Sequence, residues 1–340
     1  MHTLEIPNKG IRQEYASCLE ELKPGEALFF VALYMKYLDK EIDGDEFRGE
    51  LARVLLDIKV TKGYFYMLKR AEKDIKAEEW VENVNGNMVL IGYSLKSFFN
   101  HGDTEDTEPQ PLKKGAITEQ DDTGNTIPRE PVEREQLKFD CIKQLVPRIG
   151  PFYGPGDALT DCSFWEYKEA HSAFVQFAET QDEKYLKKLV AILYRPKKKF
   201  LWLRKRLPNY DGQIRIKFSP KSNPLSLEKR IKKMKLCSYA QLYYVFLFFK
   251  ACEEFLLHGR PTIDGKEINL SVLYEGAKGG TDDGIGLMGI LFTLAETNVF
   301  GDIDKTADTG LYDVLSRLYQ VTLQYKNINK PTKNDTDSEI

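Results

Sequence analysis

The sequence predicts a mainly α protein built from multi-helix units, with a few short strands or hairpins. Apolar residues recur at helical spacing along most of the 340-residue chain. Residues that cap helix starts, such as Asp43 and Ser163, stand directly before several of these stretches. The composition is 42% hydrophobic and 30% charged, which is typical of a folded globular protein and excludes wholesale disorder.

Residues 1–100 are predicted to form an N-terminal helical unit. A first helix begins at Pro24, since proline suits the first turn, where its missing amide hydrogen costs nothing. A second helix is predicted after Asp43, which forms a capping box with Glu46. A third helical stretch is predicted from about Ile75, with an interruption near residues 85–87, and it resumes from Val89 to Phe99.

Residues 101–136 have a different character. They are rich in Asp, Glu, Thr, Gly and Pro and poor in apolar residues, which predicts a polar linker. Residues 137–330 then form a predicted second helical domain that contains a basic segment at 187–235. The polar tail 331–340 is predicted to be disordered.

Within this second domain, Ser163 and Glu166 form a predicted capping box that starts a helix. Asp182 is predicted to cap the next helix, and Pro196 ends it because proline cannot continue a helix. Residues 213–218 alternate between polar and apolar side chains, which predicts one short strand.

The remaining elements are predicted from caps and apolar runs. Ser226 is predicted to cap a short basic helix, and residues 239–257 form the most apolar and most buried helix. The Asp-Gly pair at 264–265 is typical of a hairpin turn, and strands are expected only near 213–218 and 262–270. Two last helices are predicted at 287–296 and 311–325.

Several classes of protein are disfavoured by the sequence. The N-terminus has no signal-peptide pattern, and the longest apolar run is about half of the roughly 20 residues that a membrane span needs. We therefore expect no membrane association. The 5 cysteines are scattered and never spaced as CxxC, which indicates free thiols in a reducing compartment such as the cytoplasm.

Two sequence motifs resemble ligand sites. Residues 284–289 spell GxGxxG, but no strand leads into them, so a flexible turn is favoured over a dinucleotide site. Asp39 to Glu50 is close to a calcium loop, but Glu46 stands where an aliphatic residue normally anchors it, so a helix–turn–helix is favoured. The 4 histidines lie far apart. We expect no catalytic residues, metal or cofactor.

Charge is strongly segregated along the chain. The net charge is −3, but the segment from Lys187 to Lys235 holds 17 Lys and Arg against 2 acids, a net +15. The other residues therefore sum to −18. Such segregation favours a binding role in which complementary charge selects the partner.

Within this segment the sequence predicts an interaction surface that mixes cations with an aromatic ring. Its predicted members are Arg195, Lys197, Lys198, Lys199, Trp202, Arg204, Lys205 and Arg206. Cations and aromatics together can hold a phosphate backbone and stack on bases. They can equally dock onto acidic protein surface, either of a partner or of this chain. A sequence pI near 6.0 favours protein contact over nucleic acid.

Three passages carry a resemblance to a known group of proteins. They are residues 4–7 with the helices ending at Glu46-Phe47-Arg48, residues 163–167 (SFWEY) leading to 191–196 (AILYRP), and residues 295–302 with Thr306 and Leu311. Together they resemble uncharacterised proteins encoded in phage and prophage structural regions, near tail genes. The resemblance implies a tail or virion assembly component, located in the host cytoplasm or the virion, with other virion or tail proteins as partners.

The function predicted from the sequence is therefore that of a non-enzymatic structural or assembly protein, scaffold-like or chaperone-like, of a phage tail or virion. The alternative is a nucleic-acid-binding protein that uses residues 195–235. An acidic body, a strongly basic segment and many aromatic residues suit electrostatic docking better than catalysis.

Overall fold

The structure is a computed structural model. It describes residues 1–6, 11–56, 87–100, 136–137, 139–208, 210, 212–218, 224–263, 265–270 and 300–328. More than half of these residues are helical, so the predicted mainly α fold is confirmed. The chain divides into two compact units, residues 1–139 and 140–340.

The first unit combines a hairpin with a helical pair. Its elements are β1 (His2–Ile6), β2 (Ile11–Tyr15), a 3-10 turn (Leu19–Glu21), α1 (Pro24–Leu38), α2 (Gly44–Leu55), a 3-10 turn (Lys96–Phe98), β3 (Phe99–Asn100) and β4 (Gln136–Leu137). Residues 87–92 are also helical. β1 pairs with β2 and β3 with β4, both antiparallel.

Aromatic packing holds α1 against α2. Phe30 of α1 is fully buried, and its ring centroid lies 5.6 Å from that of Phe47 in α2 and 5.8 Å from that of Phe98. The Phe30–Phe47 pair is edge-to-face, an arrangement that adds to the free energy of burial. The predicted capping box of Asp43 and Glu46 starts α2 and is confirmed.

The second unit carries most of the helices. Its elements are β5 (Arg148–Ile149), β6 (Phe152–Tyr153), a 3-10 turn (Asp157–Leu159), α3 (Phe164–Thr180), α4 (Glu183–Leu193), β7 (Arg195–Pro196), α5 (Leu201–Arg204), α6 (Pro224–Lys233), a 3-10 turn (Met234–Leu236), α7 (Tyr239–His258), β8 (Thr262–Ile263), β9 (Lys266–Glu267), α8 (Ile303–Asp308) and α9 (Leu311–Ile328). β5, β6 and β7 form a small antiparallel sheet.

The core of this unit lies between α3, α4 and α7. Residues 189–194 at the end of α4 have no exposed surface, so this helix end is buried on every side. Phe174 of α3 packs on Phe249 of α7, with ring centroids 5.4 Å apart. The Tyr244 hydroxyl of α7 accepts a hydrogen bond from the Leu145 amide at 2.8 Å. This bond links the segment that precedes β5 to the core.

Several predicted helix boundaries are confirmed in this unit. The Asp182 side chain accepts from the Lys184 amide at the start of α4, which ends before Pro196. The apolar helix predicted over 239–257 runs from Tyr239 to His258. The hairpin at 262–267 is present, with Gly265 at a φ of +74°.

Other predicted boundaries were wrong. Ser226 does not cap α6 but lies inside it, because the helix already begins at Pro224, which fits a first helical turn. Residues 213–218 do not form a regular strand and make only an isolated bridge, Lys197 with Arg215. Pro196 of the neighbouring strand has no amide hydrogen, so the ladder cannot extend from this bridge to the Pro196–Ile216 pair.

Strands also occur where none were predicted, in the β1–β2 hairpin, the β3–β4 pair and the β5–β6–β7 sheet. The helix predicted to resume from Val89 to Phe99 was wrong at its end: residues 87–92 are helical, and a 3-10 turn and β3 follow. Most of the predicted linker 101–136, the first half of the helix predicted over 75–99, the helix at 287–296 and the tail 331–340 lie outside the described residues. Among the residues that the structure describes, no helix is long and apolar enough to cross a bilayer.

Candidate interaction surface and the arginine cluster beneath it

The predicted interaction surface begins at Arg195 in β7 and continues past the end of that strand. Two backbone hydrogen bonds hold its first residues: the Lys198 amide donates to the Ile214 carbonyl at 2.9 Å, and the Ile216 amide donates to the Pro196 carbonyl at 3.0 Å. The chain then turns at Phe200, whose φ is +55°, and enters the single helical turn of α5. We call residues 197–206 the basic surface.

The basic surface exposes large aromatic side chains. Phe200 is 70% exposed and Trp202 is 64% exposed, whereas Leu201 between them is buried and anchors the turn. Leu203 and Leu207 are also exposed. Exposed large apolar side chains close together are unusual on a protein that has no partner, and they mark interaction sites.

Cations surround these rings. Lys197, Lys199 and three consecutive cations at 204–206 are exposed, while Lys198 is half-buried. Residues 195–210 contain no carboxylate, so the local potential is positive although the whole chain is slightly acidic. The Arg206 guanidinium lies 5.6 Å from the centroid of the Trp202 ring, a cation–π distance.

A buried ionic cluster lies next to the basic surface in the sequence. Its centre is Glu166 of α3, which is 1% exposed and accepts from both Arg195 at 2.7 Å and Arg215 at 2.8 Å. Arg215 also donates to the Asp161 carboxylate at 2.7 Å. These partners are 29, 49 and 54 positions apart in the sequence, so no local motif reveals the cluster.

Other guanidinium nitrogens of the two arginines bind backbone carbonyls, while the Nε atoms of Arg195 and Arg215 are buried with no hydrogen-bond partner among the described residues. Arg195 donates to the Ile216 carbonyl at 2.7 Å, which fixes the segment that pairs with the start of the basic surface. Arg215 donates to the Leu193 carbonyl at 2.6 Å, and Arg230 of α6 donates to the Ala191 carbonyl at 2.9 Å. Carbonyls at the end of α4 that lack a partner within the helix are thereby satisfied by distant arginines.

Burial and charge act in opposite directions on these arginines. Burial lowers the pKa of Arg195, and the Glu166 carboxylate only partly compensates. Burial also opposes the charge of Arg215, but the nearby Glu166, Cys162 and Asp161 outweigh it and raise its pKa. The two guanidinium groups of Arg195 and Arg215 face two carboxylates, the fully buried Glu166 and the half-exposed Asp161, so the positive and negative charges of the cluster balance.

Arg195 corrects the predicted composition of the interaction surface. It was expected on the surface with its neighbours, but it is 3% exposed and pairs with Glu166. The predicted members of the surface that are exposed in the structure are Lys197, Lys199, Trp202, Arg204, Lys205 and Arg206. Phe200 lies within the predicted basic segment but was not among the predicted members of the surface, and the structure shows it to be as exposed as Trp202.

The role predicted for Glu166 also changes. Ser163 accepts from the Glu166 amide at 3.3 Å, so the cap at the start of α3 is confirmed. The Glu166 carboxylate, however, does not return a bond to the backbone of Ser163, as a capping box requires. It binds the two arginines instead, because charge-assisted bonds inside a low-dielectric core are stronger than bonds to a neutral amide.

The predicted absence of a calcium site stays a prediction, and the geometry of Asp39 to Glu50 is relevant to it. α2 begins at Gly44, so more than half of the would-be loop is helical. The Asp43 carboxylate accepts from the Glu46 amide, and the Glu46 carboxylate accepts from the Asp43 amide. Within the described ranges, no group of three or more His, Cys, Asp or Glu side chains is placed to hold a metal ion. Residues 284–289 lie outside the described part of the chain.

One further titratable pair lies in the second unit. His171 of α3 and Glu253 of α7 are 3.0 Å apart, Nδ1 to Oε2, and the imidazole stacks on the ring of Tyr167. The hydrogen bond to Glu253 raises the pKa of His171. The pair links two core helices. The second carboxylate oxygen of Glu253, Oε1, is buried with no hydrogen-bond partner in the described part of the protein.

Comparisons with known proteins add no relatives. The chain matches no protein-family model, and neither curated proteins nor solved structures match it.

Proposed function

We propose that this protein is a non-enzymatic assembly component that holds an acidic macromolecular partner on its basic surface. The supporting observation is the exposure of Phe200 and Trp202 among lysines and arginines. Leaving such rings in water costs free energy that contact with a partner would recover. The surrounding cations would select an acidic partner and fix its orientation.

The buried cluster supports this proposal by the way it holds the surface. Arg195 and Arg215 tie β7 and residues 214–216 to α3, and the basic surface starts from that fixed point. A surface held on a rigid base loses less conformational entropy on binding than a free loop does.

The resemblance to proteins of phage and prophage structural regions agrees with an assembly role. In that setting the partners would be other virion or tail components, and the protein would be found in the host cytoplasm or in the virion. Both the setting and the location belong to the proposal.

Purification of the full chain from its native source tests this function. Size-exclusion chromatography with light scattering and mass spectrometry should find the chain in a complex that dissociates as salt rises, since exposed charges are screened over roughly 8 Å at physiological ionic strength. The variant Lys197→Glu/Lys199→Glu/Lys205→Glu should elute alone. The matched control Lys36→Glu/Lys40→Glu/Lys250→Glu changes the net charge equally, at exposed lysines elsewhere, and should keep the partner. A solitary wild-type monomer that turns over a substrate would contradict the proposal.

A further inference from the structure

We infer that the acidic macromolecule is single-stranded nucleic acid, with Phe200 and Trp202 stacking on bases and the neighbouring lysines contacting phosphates. This inference rests on the proposed function and names the partner of the same surface. Protein contact, which the pI favours, is the competing outcome of the experiment below. The pI describes the whole chain, whereas a strand of nucleic acid meets only the local potential of residues 195–210, which contain no carboxylate.

The exposed rings of Phe200 and Trp202 favour nucleic acid as the partner. Phe200 and Trp202 are two residues apart, and both present most of their surface to solvent. Base–aromatic stacking needs such exposed ring faces and is tolerant of sequence, because every base has a π face. The positive φ of Phe200, +55°, is a conformation that bulky residues rarely adopt. Strained residues of this kind concentrate at binding sites, where the strain serves to present a side chain.

The predominance of lysine among the cations of the basic surface also favours nucleic acid. Four of the six cations at 197–206 are lysines. Lysine is depleted in protein–protein interfaces, whereas lysine and arginine both neutralise phosphates in nucleic-acid complexes. The Arg206 guanidinium, stacked near Trp202, would extend the platform for a base while contacting a phosphate.

The shape of the surface favours a single strand over a duplex. α5 has only four residues, about one turn, and is too short to fill a major groove as a recognition helix does. In a duplex the bases already stack on one another, so their faces are not available to Phe200 and Trp202. A single strand offers unstacked bases and a continuous line of phosphates.

Fluorescence anisotropy of a labelled oligonucleotide tests this inference with the full-length protein. The probes are oligo(dT) and oligo(rU) of about 12 nucleotides, within the range of sites that single-strand binders cover. We expect binding of at least one probe at low salt. The logarithm of the association constant should fall linearly as the logarithm of the salt concentration rises. A duplex of the same length should compete about tenfold less well, since its bases are not free to stack.

Variants separate stacking from general attraction. Trp202→Ala should weaken binding about tenfold, whereas Trp202→Phe keeps a ring and should bind nearly as wild type does. Lys197→Glu/Lys199→Glu/Lys205→Glu should abolish binding. Leu38→Ala removes an exposed aliphatic side chain outside the basic surface, so it should leave oligonucleotide binding unchanged.

The outcomes also distinguish this inference from the proposed function. Absence of binding to both probes at low salt, or a Trp202→Ala protein that binds like wild type, overturns the nucleic-acid assignment. So does equal weakening by the charge control Lys36→Glu/Lys40→Glu/Lys250→Glu, because binding would then reflect overall charge alone. If the native complex nevertheless depends on Leu203 and Leu207, the partner is a protein, and the proposed assembly function stands without nucleic acid.

Discussion

Single residues in this protein take their roles from partners that are distant in sequence. Glu166 stands where a capping residue is expected, yet its carboxylate holds two arginines that follow 29 and 49 positions later. Arg195 stands in a basic run, yet it is buried. A local pattern reports the residue type and the spacing. It does not report which side of the chain faces the core, and that decides whether a charge is paired or exposed.

Replacement of Glu166 should strongly destabilise the second unit. Glu166→Gln keeps the shape but leaves two buried guanidinium groups with only the half-exposed Asp161 as counter-charge. Breaking a buried ion pair by removing one partner costs about 3–5 kcal/mol. Urea denaturation followed by circular dichroism measures this loss. Glu179→Gln, at an exposed site of the same helix, should leave the free energy of unfolding nearly unchanged, and equal stability of Glu166→Gln and wild type would contradict the cluster.

The His171–Glu253 pair should make stability depend on pH. Because the folded pKa of His171 is raised above the ordinary value of 6.5, the folded state binds its proton more tightly than the unfolded state. The stabilisation is therefore fully present below about pH 6.5 and is lost as the pH rises through the folded pKa. The pair is partly solvated, so screening reduces its size.

Thermal unfolding of wild type and Glu253→Gln as a function of pH measures this effect. The difference in Tm between them should be larger at about pH 5.5 than at about pH 9. Glu254→Gln, which removes the next carboxylate of α7 and its pairing with Lys250, should not reproduce that change. A Tm difference that stays constant with pH would rule out a proton-linked role of His171.

Whole elements were easier to anticipate than residue roles. Helices α1, α2, α3, α4, α7 and α9 follow apolar stripes and caps that are visible in the sequence. The β1–β2 hairpin and the β5–β6–β7 sheet were not anticipated, because strands of two to five residues carry little periodicity. The bridge at Lys197 and Arg215 depends on a long-range pairing that a local pattern does not encode.

The start of α7 offers a test at the scale of an element. The Ser238 hydroxyl accepts from the Gln241 amide, and the Gln241 side chain accepts from the Ser238 amide at 3.0 Å. Ser238→Ala removes one half of this capping box and should lower the free energy of unfolding by about 0.5–2 kcal/mol. Ser238→Thr retains the hydroxyl and should recover most of that loss in the same urea titration. An unchanged midpoint for Ser238→Ala would show that the cap contributes nothing to α7.

At the scale of the whole molecule, charge segregation was visible in the sequence, but its division between core and surface was not. The basic segment holds 17 cations, yet Arg195 and Arg215 neutralise carboxylates inside the unit and Lys217 pairs with Asp308 at 2.8 Å. A count of charges therefore overstates the surface available to a partner. What the structure adds is the place where exposed cations stand beside exposed aromatic rings, residues 197–206 with Phe200 and Trp202.

The most direct test of the central claim is hydrogen–deuterium exchange of the native complex compared with the separated chain. If the basic surface holds the partner, backbone amides in peptides covering residues 196–210 should exchange more slowly in the complex, because binding orders and shields α5. Protection there should disappear at high salt together with the complex. Unchanged exchange over 196–210, with protection only in other parts of the chain, would contradict the account.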